Sequence, residues 1–207
     1  MPVNGAVGAR ILVHAYMAMG YADQAVDVAR TRAQRLDRKS LEYSADYQSL
    51  YGALLLRGAV AAAERGDRGS ATELLDEAEQ AAHMIGRDAN HQWTAFGPTN
   101  VLLHRVSIST TLGDAGAALA YARTIDIDGI DVRERQATFW VDVARACEQW
   151  NKYPQAYAAL RTAEELAPEE IRTRPTVRAL VGRIQRQDVR GELRGLSELA
   201  HRVGARP

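Results

Sequence analysis

One short pattern, which occurs four times along the chain, constrains the fold more than any other feature. In each copy a Gly or Asn is followed five residues later by Ala; the pairs are Gly20 and Ala25, Gly66 and Ala71, Gly113 and Ala118, and Asn151 and Ala156. Gly and Asn tolerate the left-handed backbone conformation that ends an α-helix. The small Ala lets the next helix pack closely against the one before it. The pattern therefore predicts four helical hairpins.

Apolar residues recur at helical spacing on both sides of these positions, and the one alternating stretch, residues 125–130, is short and loop-like. We therefore expect an all-α fold. In it, about four antiparallel helix pairs stack into an α-solenoid, a curved ribbon of repeats that forms a single domain over residues 1–207. The expected pairs lie near 8–36, 44–86, 93–124 and 132–167, with capping helices within 175–204.

Several residues predict where individual helices begin or end. Ser70 with Glu73, and Asp131 with Glu134, have the spacing of capping boxes at the first turn of a helix. Pro168 should end the helix before it, because proline lacks the amide donor that a helix interior needs.

The C-terminal region is expected to hold two capping helices. Pro175 suits the first turn of the earlier one. The later one should run from about 188 to 204, because its apolar residues are spaced four, three, four and three apart; they are Val189, Leu193, Leu196, Ala200 and Val203.

The composition narrows the class of function. The 26 basic and 26 acidic residues cancel, which argues against direct binding of nucleic acid or of an anionic membrane. Only one cysteine, Cys147, is present and no run of 18 apolar residues occurs, so we expect a cytoplasmic protein without disulfides or membrane spans. The arginine-rich tail after Ile171 is interpreted as a solvated cap, with contact to an acidic partner or to nucleic acid as the alternative.

Motifs of catalysis and of metal binding are lacking in the sequence. It contains no nucleophile elbow, no Walker-type phosphate loop and no dinucleotide fingerprint. Asp126, Asp128 and Asp131 do not form a calcium loop, because Gly129 falls at the fourth position and no glutamate falls at the twelfth. We predict no metal, no cofactor and no enzymatic activity.

Three stretches carry a resemblance to a narrower family: Trp93–Asn100, Arg135–Ala146 and Ala167–Pro175. Together with the hairpin pattern they are similar to the C-terminal sensor region of actinobacterial helix-turn-helix (XRE-type) transcriptional regulators. In that family a DNA-reading domain precedes tetratricopeptide-like repeats. The resemblance implies that this chain binds a peptide, a partner protein or a small signal. No helix-turn-helix precedes the first repeat, so we do not expect the chain itself to bind DNA.

The candidate binding residues belong to the first helices of successive pairs, which in a repeat stack usually line the concave groove. Tyr43, Tyr47 and Tyr51 share one helix face and offer wide apolar rings with polar tips. The other candidates lie around a kink predicted at Pro98 and on the next first helix: Trp93, Phe96, Asn100, His104, Arg105, Gln136 and Trp140. Aromatic walls with an amide and an imidazole suit a pocket, and an arginine suits a carboxylate or phosphate. The alternative for each is packing or solvated surface charge.

Two other functions stay open from the sequence. One is a structural scaffold that brings proteins together, as a homodimer through residues 9–20 or 189–203. The apolar start of the first helix, with Ile11, Leu12 and Val13, would be left partly uncovered and should meet another domain or another copy. The other is an enzyme on a helical scaffold, which would need a cleft with perturbed titratable groups.

Overall fold

The structure is a computed structural model that describes residues 2–36, 44–88 and 90–205, with side chains from residue 5 onward. These residues form eleven α-helices and one short 3-10 turn, and no strand, which confirms the predicted all-α class. The helices are α1 (Pro2–Ala18), α2 (Ala22–Gln34), α3 (Ala45–Glu64), α4 (Arg68–Ile85), α5 (Pro98–Thr111), α6 (Ala115–Ala122), α7 (Arg133–Gln149), α8 (Tyr153–Leu166), α9 (Pro168–Thr173), α10 (Pro175–Gln187) and α11 (Leu196–Val203).

The chain divides into two compact units, Met1–Leu112 and Gly113–Pro207. The first unit holds α1 to α5 and the second holds α6 to α11. The stacking of all the pairs into one solenoid domain over residues 1–207 stays a prediction.

The four pattern positions have the backbone conformation that the sequence predicts. Their φ angles are 80°, 77°, 83° and 56° at Gly20, Gly66, Gly113 and Asn151. The four alanines that follow at a distance of five residues are all fully buried: Ala25, Ala71, Ala118 and Ala156. At all four positions a left-handed residue therefore follows one helix, and a buried alanine lies in the first turn of the next.

Hydrogen bonds show why one residue suffices to reverse the chain. At the first position the Tyr21 N–H donates to the Tyr16 carbonyl at 2.8 Å, and the Gly20 N–H donates to the Met17 carbonyl at 3.0 Å. This pair of bonds is the Schellman motif, which satisfies the last carbonyls of a helix. The same two bonds occur at Gly66 and at Asn151.

In the first unit, α3 is the central helix. It packs against α1, α2, α4 and α5, and its residues Leu50, Leu54, Leu55 and Leu56 are almost completely buried. A Cβ atom added at Gly58 would lie 3.0 Å from the Ala29 Cβ of α2. The two backbones approach this closely because Gly58 has no side chain.

Two predicted capping boxes are wrong. The cap of α4 is Asp67, three residues before Ser70, and its Oδ1 accepts a hydrogen bond from the Ser70 N–H at 3.0 Å. This bond holds the pKa of Asp67 below its usual value. The predicted register therefore began one helical turn too late.

At the start of α7, the N-cap is Val132, which makes no capping bond with its side chain. Asp131 lies one residue too early to act as the cap that its spacing predicted. The loop before the helix is closed instead by Gln136, whose Nε2 donates to the carbonyls of Ile130 at 2.8 Å and Ile127 at 3.2 Å.

In the second unit, α7 pairs with α8, and α10 packs against α7, α8, α9 and α11. The prolines lie where the sequence predicts: α8 ends at Leu166, just before Pro168, and Pro175 is in the first turn of α10. The predicted helix over 188–204 is wrong in its first half, because α11 begins only at Leu196. Asp188 instead accepts hydrogen bonds from the N–H groups of Glu192 and Leu193 in a turn, and Val189 is 88% exposed.

One buried carboxylate joins three helices of this unit. Glu164 of α8 accepts bonds from Arg202 of α11 at 2.6 and 2.7 Å and from Arg172 of α9 at 3.0 Å. The hydrogen bonds from Arg202, followed by those from Arg172, lower the pKa of Glu164 despite its burial. The buried charge is therefore fully compensated by two guanidinium groups.

The left-handed residue should govern the stability of each hairpin. A Gly66→Ala substitution places no new atom within 4 Å of a neighbour, so its cost is that of the left-handed backbone alone. We expect a loss of about 1 kcal/mol in the free energy of unfolding, measured by urea denaturation. Gly69→Ala is the matched control, because Gly69 lies inside α4 and a Cβ there meets only Asp67 Oδ1 at 3.7 Å. Equal losses in the two variants would contradict the assignment.

Candidate binding site

The segment that links α4 to α5 has an unusual backbone. Gln92, Trp93 and Ala95 all have positive φ, at 50°, 56° and 46°, although non-glycine residues rarely adopt this region. Asn90 Oδ1 accepts a hydrogen bond from the Ala95 N–H at 3.0 Å, and Thr94 Oγ1 donates to the His91 carbonyl at 2.7 Å. Local side-chain bonds therefore hold this strained segment, residues 90–97, in place.

Two helices of the first unit anchor the same segment. Asp46, in the first turn of α3, lies 3.0 Å from His91 Nδ1 and accepts a bond from Gln92 Nε2 at 3.0 Å. Arg10 of α1 donates to the Gln92 carbonyl at 3.3 Å. Burial, together with the nearby charge of Arg57, lowers the pKa of Arg10.

Sequence reasoning missed these anchors. Arg10 interrupts the apolar start of the sequence, but nothing in the spacing of Asp46 and His91, which are 45 residues apart, connects the two.

The two predicted aromatic walls lie in different environments. Phe96 is fully buried, and a Cβ atom added at Gly52 of α3 would lie only 1.9 Å from its Cζ. Trp93 is 86% exposed. The residues from Trp93 to His104 would share one side of a continuous helix, whereas α5 begins only at Pro98. The segment therefore places Phe96 in the core over Gly52 and leaves Trp93 at the surface.

The polar candidates of α5 are engaged within the first unit. Arg105 is largely buried and donates to Asp76 at 2.7 Å and to Glu79 at 2.8 Å, both on α4. His104 Nδ1 lies 2.8 Å from the backbone oxygen of Asn100, and Asn100 is buried. Arg105, whose charge was predicted to bind a ligand, therefore links α5 to α4.

The tyrosine stripe leads to an open pocket. Its volume is about 210 Å³, and it lies between α2, α3 and α4. Its lining includes Arg30, Tyr51, Leu55, Glu73, Leu74 and Glu77. The Tyr51 hydroxyl donates to Glu77, and Arg30 lies 3.5 Å from Glu73 across the pocket. We call this feature the Tyr51 pocket.

The other two tyrosines are not part of the lining. Tyr47 is half-buried one turn earlier on α3, with its N–H 3.5 Å from Ser44 Oγ. Tyr43 lies outside the described residues.

The remaining candidates belong to the second unit. Gln136 closes the loop before α7, as described above, so its amide nitrogen is held by two backbone carbonyls. Trp140 is half-buried and packs edge-on against Phe139, with ring centroids 5.3 Å apart. Neither residue lines the Tyr51 pocket, which belongs to the first unit.

In the part of the chain that the structure describes, no group of three His, Cys, Asp or Glu side chains is arranged to hold a metal ion. No helix among those residues combines the length and apolarity needed to cross a bilayer. In comparisons with protein-family models, curated proteins and solved structures, nothing matches the chain.

The different environments of the two aromatic residues predict different costs of truncation. Phe96→Ala should lower the free energy of unfolding by about 3–5 kcal/mol, because it leaves a cavity over Gly52. Trp93→Ala should change it by less than about 0.5 kcal/mol, as is usual at the surface. Urea denaturation of both variants measures the difference, and a comparable loss for Trp93→Ala would show that its ring is buried in solution.

Proposed function

We propose that the chain is a binding module built from tetratricopeptide-like helical hairpins, not an enzyme, and that it acts as the sensing part of a bacterial transcriptional regulator. Its ligand is a peptide segment that inserts a basic side chain into the Tyr51 pocket. The observation that carries this proposal is the pocket itself, which brings together side chains from two successive hairpins. The resemblance to sensor regions of helix-turn-helix regulators supports the regulatory role.

The size of the pocket favours a side chain over a free small molecule. Pockets for drug-sized ligands usually measure about 300–1,000 Å³, whereas this one measures about 210 Å³. Leu55 and Leu74 supply an apolar floor, and the Tyr51 ring supplies a wall for the aliphatic part of a lysine or arginine.

The charge of the pocket selects the sign of the ligand. Two carboxylates, Glu73 and Glu77, face one guanidinium group, that of Arg30, so the lining has one excess negative charge. A cationic side chain can replace the Tyr51 hydroxyl as a partner of Glu77. Arg30 remains available to the peptide carbonyls at the rim.

Binding at this place can be transmitted because α2 and α4 belong to different hairpins. A ligand that contacts both helices binds more tightly to one of their relative positions, and only such differential affinity shifts a conformational equilibrium. The shift would then reach an attached domain or partner through the packing of successive hairpins.

Substitutions at Tyr51 test the binding mode. Peptides are first selected from phage-displayed random 12-residue sequences on the immobilised chain, and the affinity of a recovered peptide is then measured by fluorescence polarisation. We expect Tyr51→Ala to weaken binding at least tenfold and Tyr51→Phe to retain most of it, since the ring remains. Trp93→Ala is the matched aromatic control and should have less than a twofold effect. Selected peptides without a basic residue, or an unchanged affinity for Tyr51→Ala, would contradict the proposal.

A second candidate function, a scaffold that self-associates, is favoured by the outer face of α1. Ile11 and Leu12 of α1 are 70% and 40% exposed, and Met19, just after the end of the helix, is 58% exposed. Gly5 and Gly8 lie on the same helix with no atom within 4 Å of an added Cβ. Exposed apolar surface of this kind is typical of an interface.

Sedimentation equilibrium separates the scaffold from the ligand-binding module. If α1 forms a homodimer, the wild-type chain should reach the mass of a dimer at tens of micromolar, and Ile11→Glu should restore the monomer. Val189→Glu is the control, because Val189 is an exposed apolar residue of the C-terminal unit. A wild-type chain that stays monomeric throughout excludes the scaffold and leaves the Tyr51 pocket unaffected.

A further inference from the structure

The face of α10 holds a second concave surface, in the C-terminal unit. Its volume is about 540 Å³, and its lining comprises Pro175, Arg178, Ala179, Gly182, Arg183 and Arg186 together with Gly204. All but Gly204 come from one side of α10, where small residues lie between arginines. We call this surface the α10 groove.

The charges along the groove are of one sign, and two of them lack a carboxylate. Arg183 is paired with Glu148 of α7 at 2.8 Å. Arg178 donates to the uncharged carbonyl of Val203 at 3.0 Å. Within residues 2–36, 44–88 and 90–205, no carboxylate lies within ion-pair distance of Arg178 or Arg186. The groove therefore presents two uncompensated positive charges on either side of Gly182.

We propose that the α10 groove docks an acidic helical segment of a partner protein. Arg178 and Arg186 are eight residues apart on one row of the helix, which corresponds to about 12 Å along its axis. Two carboxylates seven or eight residues apart on a facing helix match this distance. The small side chain of the exposed Ala179 lets the two helices approach closely between the charge pairs.

The lining favours an acidic protein over a nucleic acid. No aromatic side chain lines the groove on which a base could stack, and stacking supplies much of the affinity for single strands. Two uncompensated arginines release few counterions from a duplex, so they give little of the affinity that duplex binding requires. The proposal is independent of the Tyr51 pocket, which lies in the other unit.

A designed peptide tests the docking. The probe is a fluorescein-labelled 18-residue helix of Ala, Leu and Gln that carries two glutamates seven residues apart, and its affinity for the full chain is measured by fluorescence polarisation at 50 mM NaCl. We expect binding to weaken at least tenfold for Arg186→Glu and for Ala179→Trp, which fills the groove from an exposed position. A probe with glutamine in place of both glutamates should bind at least tenfold more weakly.

Arg190→Glu is the matched control, because it makes the same change of charge at an exposed residue outside the lining. It should alter the affinity less than twofold, and circular dichroism should show that every variant remains folded. Equal losses of affinity for Arg186→Glu and Arg190→Glu would show that the probe is bound by non-specific electrostatic attraction, and this would overturn the proposal. Unchanged binding by folded Ala179→Trp would also overturn it, as would displacement of the probe by a 20-base-pair DNA duplex at a lower concentration than by the unlabelled peptide.

Discussion

The reversal of the chain at a single left-handed residue is the constraint on which the helical hairpins depend. After Gly20, Gly66 and Asn151 the same two backbone hydrogen bonds close the preceding helix. The next helix then begins within a few residues, and its buried alanine sets the distance between the two backbones. The turn is closed by backbone groups and not by side chains. The other residues of the turn can therefore vary, and the copies of the pattern have few further residues in common.

The hairpins could be predicted because their signals are local. A residue that tolerates positive φ and a small residue five positions later are both visible in the sequence, as at Gly66 and Ala71. The ends of other helices were less predictable, because a capping bond depends on register. The spacing of Ser70 and Glu73 predicted a capping box at the start of α4, whereas the side chain that accepts the capping bond is that of Asp67, one turn earlier.

The strained segment shows where such reasoning fails. Gln92 and Trp93 adopt a left-handed conformation that their residue types disfavour. Their backbone conformation could therefore not be predicted from residue type. The segment is held by Asp46 and Arg10, which come from other helices. Tyr51 could be predicted from its apolar ring and polar tip on one helix face, but its acidic and basic neighbours in the pocket come from α4 and α2.

The way Glu164 is compensated has a consequence for how the C-terminal unit reaches its final form. Its strongest partner, Arg202, lies 38 residues later, on α11. Until α11 is in place, the carboxylate of α8 has only Arg172 to balance it in an interior that disfavours charge. A C-terminal unit in which α11 is detached therefore carries an incompletely neutralised carboxylate, so the packing of α11 and the neutralisation of Glu164 occur together.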